Sequence, residues 1–402
     1  MPAATVRLDR PHAFPGGYFV ISSSAFRGVD ALPQVRINGA VSTEVSAAGG
    51  DSLIVGSPRS PGSYTIEVRL ANGHLLPAGT LSVAGLFTGS ATTETLTSAI
   101  AWPDAYGTRL VAASSTGGLH IVFLDLEAPS VTWRPLADSI ANPACLRTPG
   151  VGVNNELILA NYPGGLCSEV IAWERTDTAA SGLQEKARGP YLGWGNSAWL
   201  GDNRWLGQTN HAVWRYRAGS VDQAARGDWN GRFLFSANRR RVAALGWSGA
   251  IDGGRPVFEV ATGEVAYRLP DERANGAFSP TGDTLYVLAD RGSKRQLYAV
   301  RGSDGRRLFD GDSFPSRASY YEVVVDSAAD FIYVLGESGD NGPRVLVFDR
   351  ATLRRAGEMT VPAGAPPAEG RQLGFVSQDL RRLFVLVLGG PTTVYSFDLP
   401  RR

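Results

Sequence analysis

Four short apolar runs recur in the C-terminal half of the chain, each preceded six residues earlier by a serine or an aspartate. Ser236 precedes Val242-Ala243-Ala244-Leu245, and Ser279 precedes Leu285-Tyr286-Val287-Leu288. Asp326 precedes Ile332-Tyr333-Val334-Leu335, and Ser377 precedes Leu383-Phe384-Val385-Leu386. The markers are 43, 47 and 51 residues apart. The best-defined copy spans Asn275 to Asp304 and reads as three strands separated by turns. Its first turn, Ser279-Pro280-Thr281-Gly282-Asp283, combines a proline that pre-sets φ with a glycine that tolerates positive φ. Runs this short and this rich in Leu, Tyr and Val favour strands over helices.

Weaker copies extend the series upstream. Second strands are expected to start at positions 110, 157, 205, 242, 285, 332 and 383, with third strands near 119–126, 169–174, 212–216, 256–260, 297–300, 345–348 and 394–397. Seven copies at a period of about 40–50 residues, each made of short strands, predict a seven-bladed β-propeller from about Leu86 to Arg402. The last copy ends soon after its third strand. Its missing outer strand is therefore expected from residues 86–96, which would close the ring and remove a free sheet edge.

Residues 1–85 do not follow the period. Candidate strands at Tyr18–Ile21, Gln34–Ile37, Ser52–Val55, Tyr64–Arg69 and Thr80–Val83, joined by Gly- and Pro-containing links, predict a small Ig-like β-sandwich. The whole chain thus reads as all-β.

Two resemblances sharpen this picture. Phe278-Ser279-Pro280-Thr281-Gly282-Asp283-Thr284-Leu285-Tyr286-Val287 resembles the YVTN-type, WD40-like repeat of bacterial propellers. The weaker copies lack its Ser-Pro-x-Gly turn. Pro61-Gly62-Ser63-Tyr64-Thr65-Ile66-Glu67-Val68 with Asn72-Gly73, together with Gly17, Phe26 and the stretch from Pro33 to Gly39, resembles an IPT/TIG module. Such modules are usually spacers or adhesion units.

Composition narrows the partners. The 39 basic and 38 acidic residues leave a net charge of +1, which argues against nucleic acid or an acidic membrane held mainly by charge. No stretch of 18 apolar residues predicts a membrane span. Only Lys186 and Lys294 are lysines among the 39 basic residues, a bias read as GC-rich bacterial coding. The N-terminus lacks the features of a signal peptide, so the chain reads as cytoplasmic or as a mature form. Cys145 and Cys167 pull the other way. An up-down meander puts both at one end, and a disulfide closing this loop would add roughly 3 kcal/mol. Such a pair leans towards an extracytoplasmic compartment, periplasmic or cell-surface; two unrelated buried thiols are the alternative.

Motifs for catalysis are scarce. GxSxG, HExxH and P-loop patterns are absent, and so are Asp boxes. With histidines only at 12, 74, 120 and 211, a His-rich metal centre is not expected, and no cofactor is implied. Asp310-Gly311-Asp312-Ser313 and Glu337 to Asn341 read as Asx turns rather than Ca²⁺ sites.

Tryptophan is the compositional anomaly. Six of nine lie between positions 194 and 247. Trp199, Trp205 and Trp214 read as fillers between wedge-shaped blades. Trp194, Trp229 and Trp247, with His211, fall at one end of neighbouring copies, flanked by Arg232, Arg255 and Arg273; filling gaps between blades is the alternative for these three tryptophans too. An exposed indole suits a sugar ring, a proline or an arginine head. The expected function is a non-enzymatic binding or scaffold protein that recognises a protein or a glycan through this aromatic-basic face. The alternatives are a propeller enzyme, a lactonase-like hydrolase or a quinoprotein, and a purely structural subunit of a larger complex.

Overall fold

The structure, a computed structural model, describes residues 5–27, 31–83, 87–92, 95–104, 107–114, 120–125, 132–135, 150–161, 169–175, 183–191, 196–209, 211–217, 219–227, 230–248, 252–271, 273–316, 321–325, 331–339, 342–364, 370–377, 382–388 and 391–399. Within them the chain is built from strands, with a single 3-10 turn at Ser24–Phe26. No described helix is long and apolar enough to cross a membrane.

Beyond residue 86 the strands form antiparallel four-stranded meanders, seven among the described residues, of which the fourth and fifth are joined into one eight-stranded sheet by the Gly246–Ala274 pairing. The third consists of Ser197–Gly201, Arg204–Thr209, Ala212–Arg217 and Ser220–Arg226. The fourth consists of Asn230–Phe235, Arg241–Ser248, Arg255–Glu259 and Val265–Leu269. Ala274–Phe278, Thr284–Arg291, Lys294–Arg301 and Arg307–Pro315 make the fifth. Glu322–Val325, Phe331–Gly339, Gly342–Asp349 and Arg355–Thr360 make the sixth. All seven second-strand positions expected from the repeat fall within second strands, and the expected third-strand segments overlap third strands.

The seventh meander is completed from far away. Arg371–Val376, Arg382–Leu388 and Thr393–Asp398 provide three strands, and Phe87–Thr92 pairs antiparallel with the last, Ser90 opposite Tyr395. This is the strand exchange the sequence led us to expect from residues 86–96. The Leu96 amide also donates to Thr392 Oγ1 at 2.9 Å, tying the first meander to the seventh.

Each marker serine closes a turn. Ser279 accepts the Thr284 amide on its hydroxyl at 3.1 Å, and its own amide donates to the Thr284 carbonyl at 2.8 Å. Ser236 with Arg241 and Ser377 with Arg382 repeat the arrangement. The side chain thus satisfies backbone groups that the turn leaves without strand partners.

The apolar runs do not alternate with polar residues because both faces of each sheet are covered. Val242 and Ala244 pack with Leu206 and Val213 of the third meander, whereas Ala243 and Leu245 pack with Leu285 and Val287 of the fifth. Tyr286 and Leu288 join Ile332 and Val334; Tyr333 and Leu335 join Val385 and Tyr395. Successive side chains of a strand point to opposite faces, so one strand feeds two cores. The first strands of the second to seventh meanders lie side by side in chain order, and the first strand of the first meander touches the second strand of the seventh. Trp205 is fully buried 6.1 Å from Trp199, and Trp214 donates its indole N–H to Thr209 Oγ1 at 3.2 Å.

The N-terminal residues form two sheets over one core that includes Phe19, Ile21, Val35, Val55, Ile66, Val68 and Leu81. Their last strand ends at Val83. This unit is seated on the outer strand of the sixth meander. Phe14 enters the core shared by the sixth and seventh meanders and meets Phe331 edge-on at 4.9 Å. The Glu358 amide donates to the Pro15 carbonyl at 3.3 Å. Gly17 is required by space: a Cβ there would lie 1.6 Å from the Ala356 carbonyl oxygen.

Candidate functional site

Counting four residues back from the markers at 236, 279, 326 and 377 gives Arg232, Asn275, Glu322 and Leu373. These are equivalent positions on the first strands, paired with Leu245, Leu288, Leu335 and Leu386. Three of the four are polar, and they are stitched across meanders. Arg232 of the fourth meander reaches past the fifth to Glu322 of the sixth, with N–O 2.8 Å. The Glu322 side chain is only 4% exposed, and its Oε2 has no hydrogen-bond partner among the described residues. Asn275 donates to the Tyr321 carbonyl at 2.6 Å. Tyr321 donates its hydroxyl to buried Glu337 at 2.8 Å. Gln372 accepts the Gly336 amide and donates to the Glu337 carbonyl, both at 2.9 Å. Asn196 donates to the Gly231 carbonyl.

Further charge gathers at the same end of the fifth meander. Asp271, buried, accepts from Arg291 and from the Tyr298 hydroxyl. Burial, reinforced by this carboxylate, pushes the Tyr298 phenol above its ordinary range. Asp290 accepts from Arg295 at 2.6 Å and lies 3.9 Å from exposed Arg273. The Arg295 guanidinium stands 5.5 Å over the Tyr321 ring. Among the described residues, no three His, Cys, Asp or Glu side chains converge as a metal would require.

The residues singled out in the sequence divide into three groups. Trp194, Trp229, Cys145 and Cys167 lie outside the described residues. The backbone brings four other positions to one end of adjacent meanders. His211, exposed, lies in the turn before the third strand of the third meander, and its carbonyl accepts the Gly227 amide at 2.9 Å. Trp247 lies near the end of the second strand of the fourth, next to the Gly246–Ala274 pairing that leads to Arg273. Arg232 lies on the neighbouring first strand, half-buried, its guanidinium engaged by Glu322.

Arg255 requires a correction. It was expected to flank an exposed surface, but it is fully buried. It stands at the start of its strand opposite Leu269, where Gly254, with positive φ and no Cβ, lets the chain lie against the Leu269 carbonyl, only 1.9 Å from where a Cβ would sit. The polar residues that sequence reasoning missed, Asn275, Glu322, Tyr321, Glu337 and Gln372, carry no composition signal. The fixed offset from the turn marker does identify Arg232, Asn275 and Glu322 as one level.

No protein-family model matches the chain, and no curated protein matches it. Solved structures do. The β-propeller domain of Cps50 (Swd1) from Myceliophteria thermophila superposes with a TM-score of 0.51 at 13% identity, over 78% of this chain and 99% of that one. An auxiliary nutrient-binding protein from Bacteroides thetaiotaomicron gives 0.44 at 11% identity, over 98% of both chains. The periplasmic gluconolactonase PpgL of Pseudomonas aeruginosa gives 0.43 at 17% identity, over 78% of this chain and all of that one. The first likeness, with the meanders, defines the fold as a β-propeller. At this identity it defines nothing about chemistry.

Proposed function

We propose that the chain is a non-enzymatic binding or scaffold protein, a YVTN-like ring of seven blades over residues 86–402 carrying an Ig-like, IPT/TIG-type module over residues 1–85. Its partner is a protein or a glycan of the cell envelope or of an extracellular assembly. What supports this reading is that the chain positions 211, 247 and 273 fall at strand ends on one side of adjacent meanders. Trp247 and Arg273, with Trp194 and Trp229 nearby in the chain, supply flat apolar faces and a cation for a sugar ring or a peptide. Arg255 has no part in it, and Arg232 acts as the strut beneath.

The test is a binding assay on a printed glycan array and on a crosslinked envelope extract, wild type against Trp229→Ala/Trp247→Ala. Loss of the captured species with an unchanged melting temperature supports the reading. Capture that survives in the variant, or a melting temperature that collapses with it, removes it.

A further inference from the structure

At the opposite end of the propeller the turns of the fourth and fifth meanders enclose a cavity of about 430 Å³, lined by Asn238, Arg240, Arg241, Gly282, Asp283, Arg301, Gly302, Ser303 and Leu308. Three arginines and one aspartate are among its lining residues. We infer that this cavity is a binding site for a small multivalent anion, a phosphate-bearing or polycarboxylate ligand, separate from the partner-binding end.

The site is built rather than incidental. Gly302 donates its amide to the Asp283 carbonyl at 2.7 Å, and a Cβ on Gly302 would lie 2.4 Å from the Gly282 carbonyl oxygen. The two turns can close into one floor only with glycine there. A Cβ at Gly282, where φ is +77°, would meet the Asn238 side chain at 2.7 Å, so the floor also fits the first wall closely. Arg241 is held in place across the cavity by the Ser303 carbonyl at 3.1 Å and by Glu259 at 3.3 Å. Arg301 is steadied by Asp304 at 3.2 Å. Arg240 is exposed and makes no ion pair among the described residues. With Arg241 spent on these internal contacts, Arg240 and the N–H groups of Arg301 that Asp304 leaves unengaged are the donors for a ligand with several anionic oxygens. The volume is that of a small-molecule site.

Titration calorimetry with pyrophosphate and with citrate, at low ionic strength and with chloride as the control anion, tests the inference. Saturable binding of either probe is expected, weakened at least tenfold in Arg240→Ala and abolished in Arg240→Ala/Arg301→Ala. Arg240→Ala removes no intramolecular ion pair, so its fold is retained, and circular dichroism verifies this. Arg273→Ala, at the other end, should leave the affinity unchanged. The inference is overturned if neither probe binds below about 10 mM, if chloride competes equally at matched ionic strength, or if Arg240→Ala binds as wild type does.

Discussion

The Arg232–Glu322 pair joins two first strands that are not neighbours, and its removal offers a quantitative test of how the meanders are arranged. The two groups approach to 2.8 Å, with Glu322 4% exposed and Arg232 24% exposed. Unit charges about 4 Å apart attract by about 4 kcal/mol at an effective dielectric of 20. Breaking a fully buried pair costs about 3–5 kcal/mol, mostly because the remaining charge is stranded. Arg232 reaches water in part, which lowers the expected cost of Arg232→Met to about 2–3 kcal/mol. Glu322→Gln keeps an acceptor for Arg232 and should cost only about 1 kcal/mol. Arg232→Met/Glu322→Gln removes both charges and should lie within about 1 kcal/mol of wild type, a coupling of about 2 kcal/mol. Urea unfolding followed by tryptophan fluorescence measures all of these variants. Strictly additive single effects, or an Arg232→Met variant within 0.5 kcal/mol of wild type, would show that the two strands do not meet and would refute the reasoning.

Two other outcomes follow from local geometry. Gly17→Ala places a methyl group 1.6 Å from the Ala356 carbonyl oxygen, so the N-terminal unit must lift from the sixth meander; amide exchange at Glu358, whose N–H donates to Pro15, should accelerate at least tenfold while the propeller core stays protected. Arg215 pairs with Asp222 and Glu264 and holds both carboxyls below their ordinary values of 3.8 and 4.5. Their pKa values are depressed in the folded state, so this contribution is complete above those values and is lost as pH falls through and below them. Melting temperature measured from pH 7 to pH 3 should therefore drop less steeply in Arg215→Met than in wild type, from a lower starting point; parallel curves would contradict this.

Much of the fold is readable in the chain because one physical unit is repeated. The marker serine, the turn and an apolar run buried on both faces recur at a fixed offset, so strands such as Thr284–Arg291 and Arg382–Leu388 are specified by local sequence alone. The strand exchange at Phe87–Thr92 follows from an edge that must not stay open. The site is less legible. A charge written in the sequence as an arginine can face water, as Arg273 does, can be spent on a carboxylate 90 residues away, as Arg232 is, or can be fully buried, as Arg255 is. Nothing within a few residues of each arginine distinguishes these fates, because they depend on which meander arrives next to it. The short edge strands Arg7–Leu8, His12–Ala13 and Ala40–Val41 escape for a similar reason: two residues carry no period.

The most direct test of the account concerns the contact between Thr88 and Ser396, whose hydroxyl oxygens are 2.6 Å apart although 308 residues separate them in the chain. Thr88→Cys/Ser396→Cys, oxidised in the native state and compared on gels with each single variant, should form a crosslink that joins the two ends of the propeller. It should also raise the melting temperature, because a loop this long loses much entropy on closure. A ring closed by strand exchange predicts near-complete crosslinking in dilute monomer. No gain of crosslink over the single variants under those conditions, or a crosslink found only between molecules, would contradict it.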